Sequence, residues 1–449
     1  MLTNIFYENF RIHSTEIAIN WKDRYYKYYE LMDDIITFRE YLAKTEIEQG
    51  SRVAIFGDFT PKSISLMFAL IEINTIIIPL TKSSIKDQDK YLNIAEADFI
   101  FYINDEDEFI LEPFNKIKKS NHQIYIDLFN IKEPGLVLFS SGTSGEPKCA
   151  VHNFNKLLNK YSNKRKTLRT LNFLLFDHWG GLNTMFHILS NGGTLVSVKD
   201  RSPEGICQLI QKYKIQLLPT TPTFLNLLLL NSTLFEKYDL SSLEIITYGA
   251  EPMPISTLNR ISDKFKNLKL LQTYGLIELG VMRSKSEDNN SLWFKIEDNN
   301  YKIKIIDKIL YIKTDSAMLG YLNAPSPFDE DGWFITGDEV EEKGEYIRVL
   351  GRKSEIINVG GEKVYPQEVE NIIKEIKNIS DVLVFGESNS LVGTIVCARV
   401  KLICAEDKKD VITRIKLECK KLLPSFKIPV KIFFEESEFY NDRFKKKRS

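Results

Sequence analysis

Leu136-Val137-Leu138-Phe139-Ser140-Ser141-Gly142-Thr143-Ser144-Gly145-Glu146-Pro147-Lys148 is the stretch on which the fold reading turns. Its four leading apolar residues read as a buried strand that runs straight into a loop, with a helix expected to follow. The two glycines permit tight turns and let a ligand approach the backbone closely. Successive backbone N–H groups in such a loop make a nest for an anion. Ser140, Ser141, Thr143 and Ser144 add hydroxyls, and Lys148 adds a positive charge. A Walker loop has its lysine directly after the second glycine, whereas here Glu146 and Pro147 intervene.

Around this loop, short apolar runs alternate with segments of helical spacing. Residues 53–57, 75–79, 99–103, 136–139, 171–176, 194–198, 216–219 and 245–248 read as strands; 61–73, 154–168, 204–213, 223–230 and 255–265 read as helices. Strands flanked by helices imply an α/β domain with a mostly parallel sheet covered on both faces. Ligands in such sheets bind beyond the carboxyl ends of the strands. After Gly275 the texture changes: 291–296, 301–306 and 309–314 alternate and are separated by Asn and Asp, as in a small antiparallel β subdomain. A third unit has the order helix 367–376, strand 381–385, strand 394–400, helix 411–422, strand 430–434. The expected organisation is a large domain over 1–350 and a small, mobile α+β domain over 351–449, hinged near Lys353.

Bulk properties narrow the function classes. In 449 residues, 43% are hydrophobic and 27% charged, as in an ordinary globular protein of more than one domain. A formal net charge of −1 gives no global attraction to nucleic acid or anionic membrane. The five cysteines include no C-x-x-C pair, and the five histidines are scattered, which disfavours a disulfide framework or a zinc site. No leader pattern opens the chain, and the longest apolar run, 67–80, is interrupted by Glu72. A reducing cytoplasmic setting is the expectation, with no membrane insertion and no nucleic-acid partner.

Four further segments follow the loop in order. They are Gly249-Ala250-Glu251-Pro252, Thr273-Tyr274-Gly275-Leu276-Ile277-Glu278, Gly332-Trp333-Phe334-Ile335-Thr336-Gly337-Asp338, and the long run from Gly351-Arg352-Lys353 to Gly360-Gly361-Glu362-Lys363-Val364-Tyr365-Pro366. Together with the Ser140–Lys148 loop, they resemble the ordered motifs of the ANL superfamily of adenylate-forming enzymes. That superfamily comprises acyl- and aryl-CoA synthetases, adenylation domains of peptide synthetases, and luciferases. The resemblance covers nearly the whole chain. It implies ATP-dependent conversion of a carboxylic acid to an acyl-AMP, then transfer to CoA or to the phosphopantetheine of a carrier protein.

The resemblance also implies roles. Ser140, Ser141, Gly142, Thr143, Ser144, Gly145 and Lys148 would hold the ATP phosphates, with Thr143 and Lys148 acting in catalysis. Gly249, Ala250 and Glu251 would border the adenine, with Thr273, Tyr274 and Gly275 beside it and Tyr274 stacking on the base. Asp338 would accept bonds from the ribose hydroxyls, a bidentate task suited to a carboxylate, and Arg352 would reach the same ribose. Glu278 would hold Mg2+, a hard cation that prefers oxygen donors. Ile277 departs from the family's Thr. It removes a donor near the phosphates, a loss worth roughly 2–4 kcal/mol of transition-state stabilisation by analogy with other oxyanion donors. A catalytically weakened nucleotide-binding homologue is therefore one alternative.

Asn441-Asp442-Arg443-Phe444-Lys445-Lys446-Lys447-Arg448 resembles the family's N-x-x-G-K-x-x-R ending, with Phe444 in place of Gly. It makes Lys445 the expected catalytic lysine, with Lys446 and Lys447 as adjacent rivals. Phe176-Asp177-His178-Trp179-Gly180-Gly181-Leu182-Asn183 resembles the F-H-x-x-x-L-N stretch of acyl- and aryl-CoA synthetases, and the resemblance implies that His178, at the histidine position, acts in catalysis and meets the acyl substrate. Trp179, Gly180, Gly249, Gly275 and Leu276 would wall the acyl pocket, and Gly360 and Gly361 would line the thiol channel. Asp177 leaves open a stand-alone enzyme that activates an amino acid, because such enzymes use an Asp there for the ammonium group.

Overall fold

The computed structural model describes residues 3–115, 120–141, 146–389 and 393–446. Two seven-stranded sheets form the frame of the large unit. In the first, Lys269–Gln272, Ile245–Tyr248, Leu217–Thr220, Thr170–Leu171, Leu195–Val196 and Ile17–Trp21 run parallel, and Arg24–Lys27 closes one edge antiparallel. In the second, Gly135–Ser141, Ile76–Leu80, Arg52–Phe56 and Phe99–Ile103 form a parallel centre. Its antiparallel edges are Pro147–Asn153 with Gly320–Tyr321 on one side and Phe109–Pro113 on the other.

The helices Pro61–Glu72 and Trp179–Ser190 are buried at ten positions each, too apolar for a surface helix. Their side chains join Val53, Ile55, Leu136 and Leu138 of one sheet and Ile19 and Leu195 of the other in a single core cluster. Both sheets are therefore packed around shared helices, and their relative position is fixed. Three helices begin alike: Thr60, Ser202 and Thr221 each precede a proline and accept the N–H of Ser63, Gly205 and Phe224, respectively. Each such cap is worth about 1 kcal/mol, and proline at the first position forfeits no helical hydrogen bond.

A six-stranded antiparallel sheet follows, in the order Ser284–Ser286, Phe294–Ile296, Tyr346–Arg352, Phe334–Lys343, Ile309–Thr314, Tyr301–Ile306. It is larger than the three strands read from sequence, because Phe334–Lys343 and Tyr346–Arg352 carry many charged residues that hide their β pattern. The strand Tyr346–Arg352 pairs Arg352 with Asp338 and so extends past position 350. The short turn Lys353–Glu355 then leads into the C-terminal unit. There, Ile379–Asn389, Gly393–Leu402 and Lys431–Phe434 make a three-stranded sheet packed by the helices Pro366–Lys374 and Lys408–Leu422.

Several local expectations need correction. The phosphate loop is followed by the strand Pro147–Asn153, not by a helix; it joins the two arms of an antiparallel hairpin that pairs Ser140 with Lys148. The helix expected over 154–168 is only Phe154–Leu158 plus one 3-10 turn, Asn159–Ser162. The strand expected over 171–176 shrinks to Thr170–Leu171, because the chain turns to present residues 173–178 to the site.

Candidate active site

Three parallel strands end in register, with Thr220 beside Tyr248 and Tyr248 beside Gln272. The residues that follow, Thr221, Gly249 and Thr273, form one rim, as expected at the carboxyl edge of a parallel sheet. A Cβ on Gly249 would come within 2.5 Å of Thr273 Oγ1 and 2.6 Å of its carbonyl oxygen, so the strand ends approach this closely only with glycine there. Ala250 next to it has φ +70, a left-handed conformation unusual for a residue with a side chain. Glu251 turns inward. Its Oε1 accepts the N–H of Thr223 in the first turn of the helix Pro222–Leu230, a favourable place for a carboxylate.

Tyr274, Asp338 and Arg352 form one hydrogen-bonded group. The Tyr274 hydroxyl donates to Asp338 Oδ2 at 2.5 Å, and Arg352 Nε lies 3.3 Å from Asp338 Oδ1. Burial raises the Asp338 carboxyl above the usual carboxylate range, against the pull of Arg352 and the Tyr274 hydroxyl. Tyr274 stacks on Phe294, with ring centroids 5.9 Å apart, and belongs to a core cluster, so one of its faces is taken by protein. Glu278 lies in the turn between the strands Tyr274–Leu276 and Gly280–Met282 and is 8% exposed. It is therefore no exposed carboxylate at a helix start. Its Oε1 accepts from the Tyr321 hydroxyl at 2.6 Å, and Lys148 Nζ lies over the Tyr321 ring at 5.5 Å. Tyr321 thus links the lysine of the phosphate loop to the expected metal ligand.

Gly142, Thr143, Ser144 and Gly145 lie outside the described residues, as does the side chain of Ser141. Ile277 packs against two core clusters, including the apolar core of the antiparallel sheet. Its side chain is accommodated as a hydrophobic bridge between subdomains, which gives the departure from Thr a packing reason. Among the described residues, no group of three or more His, Cys, Asp or Glu side chains could hold a metal by itself. One fixed carboxylate, Glu278, completed by phosphate oxygens is nevertheless a donor set that suits Mg2+.

His178 caps the helix Trp179–Ser190 through Nδ1, which accepts the Gly180 N–H at 3.0 Å. That bond assigns the ring proton to Nε2. Burial, with Lys445 and Arg443 nearby, pushes the His178 pKa well below its ordinary value, so the ring is neutral. Trp179 Nε1 is buried, and a Cβ on Gly280 would meet it at 2.9 Å. A Cβ on Gly180 would strike Leu174 at 2.6 Å, and one on Gly275 would strike the Gly280 carbonyl at 2.8 Å. These two glycines serve protein packing. Leu276 lies on the hairpin strand opposite Gly280. Gly360 and Gly361 form the tip of the hairpin Ile357–Val359/Glu362–Val364, both with positive φ and open space around their missing side chains.

The C-terminal loop enters this site. Asn441 folds it tightly, accepting the N–H groups of Arg443 and Lys445 on Oδ1. Lys445 is drawn inside, near Glu251, Glu278, Arg352 and Arg443, and burial lowers its pKa to about 8. Lys446 turns the other way: its Nζ donates to Glu370 at 2.9 Å and to the Val382 carbonyl at 2.6 Å, both in the C-terminal unit. Lys447 lies outside the described residues. Phe444 adopts φ +51 and packs its ring against Phe173, Phe224 and Tyr440. The left-handed conformation costs about 1–2 kcal/mol, which the partial burial of the phenylalanine ring offsets. Phe173, Leu174, Leu175, His178, Arg443 and Lys445 line a small cavity of about 10 Å³, room for one water. His178, expected beside the acyl substrate, borders this cavity; Trp179, Gly180, Gly249, Gly275 and Leu276, expected to wall the acyl pocket, do not line it. Thr221, Tyr321, Arg443 and Phe444 were not singled out as site residues from sequence; only the replacement of glycine by Phe444 carried a signal.

Comparison with known proteins agrees with this architecture. The AMP-binding enzyme family matches residues 6–308, and the AMP-binding enzyme C-terminal domain matches residues 353–422. The chain belongs to the AMP-binding enzyme family, within the ANL superfamily of adenylate-forming enzymes. It is similar to a putative acyl-CoA ligase, YdaB, of Bacillus subtilis, with 25% identity over 88% of this chain and 86% of that one. A 2-succinylbenzoate–CoA ligase of Enterococcus faecalis is also 25% identical, over 93% of this chain and 91% of that one. Among solved structures, an anthranilate CoA ligase, AuaEII, in complex with anthranoyl-AMP shares the fold with a TM-score of 0.82. It is 16% identical and covers 100% of this chain and 95% of its own. No described helix is long and apolar enough to cross a membrane.

Proposed function

We propose that this chain is an AMP-forming acid–thiol ligase. It activates a small carboxylic acid with ATP and passes the acyl group to a thiol, with CoA favoured over a carrier-protein phosphopantetheine because its named relatives are CoA ligases. The observation that carries this reading is the position of Lys445, delivered from the C-terminal unit to Glu251, Glu278 and Arg352 of the large unit.

In the first step, a carboxylate oxygen attacks the α-phosphorus of ATP and pyrophosphate leaves. Lys445 bridges the incoming carboxylate and the α-phosphate, where its charge offsets the charge developing on phosphorus. Lys148 and the Ser140–Gly145 loop hold the phosphates to be released. Mg2+, held by Glu278, supplies charge neutralisation on the phosphate oxygens when bound. Asp338 takes the ribose hydroxyls in partial exchange for its bonds to Tyr274 and Arg352, and the free face of Tyr274 meets the adenine. His178, neutral and fixed through Nδ1, presents an N–H toward the acyl side. In the second step, a thiolate sulfur attacks the acyl carbonyl and AMP leaves, with Gly360 and Gly361 beside the thiol.

A second reading rests on Asp177. It is 3% exposed, and its Oδ1 accepts no hydrogen bond among the described residues. A donor on the substrate, an ammonium or a hydroxyl, would satisfy that atom, as in a stand-alone enzyme activating an amino acid. Acid-dependent exchange of radiolabelled pyrophosphate into ATP decides between them. The panel is acetate, malonate, hexanoate, benzoate, anthranilate, 2-succinylbenzoate and the L-amino acids, followed by addition of CoA. Exchange with a non-amino acid, and thioester formed on adding CoA, is expected. Exchange with amino acids alone favours the second reading, and ATP binding without exchange defeats both.

A further inference from the structure

We propose that Arg443 and Asp177 are positioning residues that, with Phe444 as an apolar anchor, latch the C-terminal loop onto the large unit and hold Lys445 in the site. The proposal rests on the acyl-AMP reading above and adds residues to it.

Four consecutive residues of the loop face different bodies. Arg443 Nη2 donates to Asp177 Oδ2 at 2.8 Å, where Thr81 Oγ1 also approaches at 3.4 Å. Phe444 lays its ring against the contacting pair Phe173 and Phe224, with centroids 5.4 and 5.5 Å away, and its carbonyl accepts the Thr221 hydroxyl at 3.0 Å. Lys445 enters the site, and Lys446 ties back to Glu370 of the C-terminal unit. Arg443 and Phe444 therefore reach the large unit through a loop whose other end is anchored in the small one. Elsewhere the units meet near the start of the C-terminal unit, where Glu339 accepts the Tyr365 hydroxyl at 2.6 Å and pairs with Lys363 at 3.2 Å. They also meet more weakly at Asn226 Nδ2 to the Ser380 carbonyl, 3.3 Å, Gln367 Nε2 to the Met253 carbonyl, 3.5 Å, and the Lys446 N–H to Glu251 Oε2, 3.4 Å.

The chemistry of each partner suits a latch. Asp177 precedes His178, so a pull on its carboxylate acts one residue from the cap of the helix Trp179–Ser190. A largely buried carboxylate is costly without a cation, and Arg443 supplies one only when the loop is docked. Phe444 occupies a backbone conformation that glycine would adopt freely. The chain keeps the larger residue, and its ring joins the core cluster of the first sheet.

Hydrogen–deuterium exchange on the full chain tests the latch without knowledge of the substrate. In Asp177→Asn, Arg443→Ala and Phe444→Gly, the peptide covering 437–446 should exchange about tenfold faster, while peptides covering 171–190 stay as in wild type. The double variant Asp177→Asn/Arg443→Ala should be no faster than the faster single, because both remove one interaction. Unchanged exchange at 437–446, additive effects in the double variant, or acceleration spread over 171–190 would each overturn the proposal. Acid-dependent pyrophosphate exchange, with the acid most active on the wild-type enzyme, adds the functional readout. A fall of about a hundredfold is expected for Arg443→Ala, with partial rescue in Arg443→Lys. Should no acid support exchange in the wild type, the acyl-AMP reading fails while the deuterium measurement still decides the latch.

Discussion

Lys445 and Lys446 are neighbours in opposite electrostatic settings, and their substitutions should separate accordingly. Lys446 lies within reach of Glu370 and Asp381, both largely buried. Lys374 pairs with Asp381 at 3.1 Å, so Lys446→Ala chiefly removes the ion-pair partner of Glu370 and should cost about 3 kcal/mol in urea denaturation. Lys445 has a pKa lowered to about 8 by burial, with Arg443 and Arg352 adding to the depression and Glu251 and Glu278 opposing it. In the proposed reaction its ammonium is the active form. Below pH 8 it is charged, and as pH rises through about 8 the charge is lost. The kcat/KM for ATP in the acyl-AMP step should therefore fall above about pH 8, a limb that Lys445→Arg shifts beyond the measurable range. Ile277 bridges two core clusters, so Ile277→Thr should lower stability by about 1–2 kcal/mol by thermal denaturation. A gain in pyrophosphate exchange in the same variant would show that the missing hydroxyl also limits the chemistry.

At the scale of elements, the rim of the first sheet depends on close approach. Gly249→Ala should displace the turn before Thr273 and cost about 1–3 kcal/mol, since the new Cβ meets backbone and hydroxyl rather than a flexible side-chain end. Much of this level was legible in the sequence. The strand Arg52–Phe56 and the helix Pro61–Glu72 announce themselves by a fully apolar run and a Thr-Pro start. The strand Pro147–Asn153 did not, because Lys148, His152 and Asn153 break the apolar pattern although His152 and Asn153 are buried. Phe334–Lys343 was hidden in the same way by its charged residues, including a Glu339 that is buried against Tyr365. Burial of polar groups with specific partners is a tertiary fact, which local pattern does not carry.

At the scale of the molecule, the candidate site is completed by a loop of the C-terminal unit that brings Lys445 near Glu251 and Glu278. The ordered motifs pointed to Asp338, Arg352, Glu278 and Lys445, which come from distant parts of the chain and lie together in the structure. The contacts that make them converge were not readable. Thr221 with Phe444, Arg443 with Asp177, and Tyr321 with Glu278 each join residues far apart in sequence, and no spacing rule relates them. The most direct test of the two-unit site separates the half-reactions in Lys445→Ala. Acyl-AMP formation should fall about 100- to 1,000-fold relative to wild type, while thioester formation from supplied acyl-AMP and CoA stays near the wild-type rate. Equal losses in both half-reactions, or full acyl-AMP formation without the Lys445 ammonium, would contradict the account.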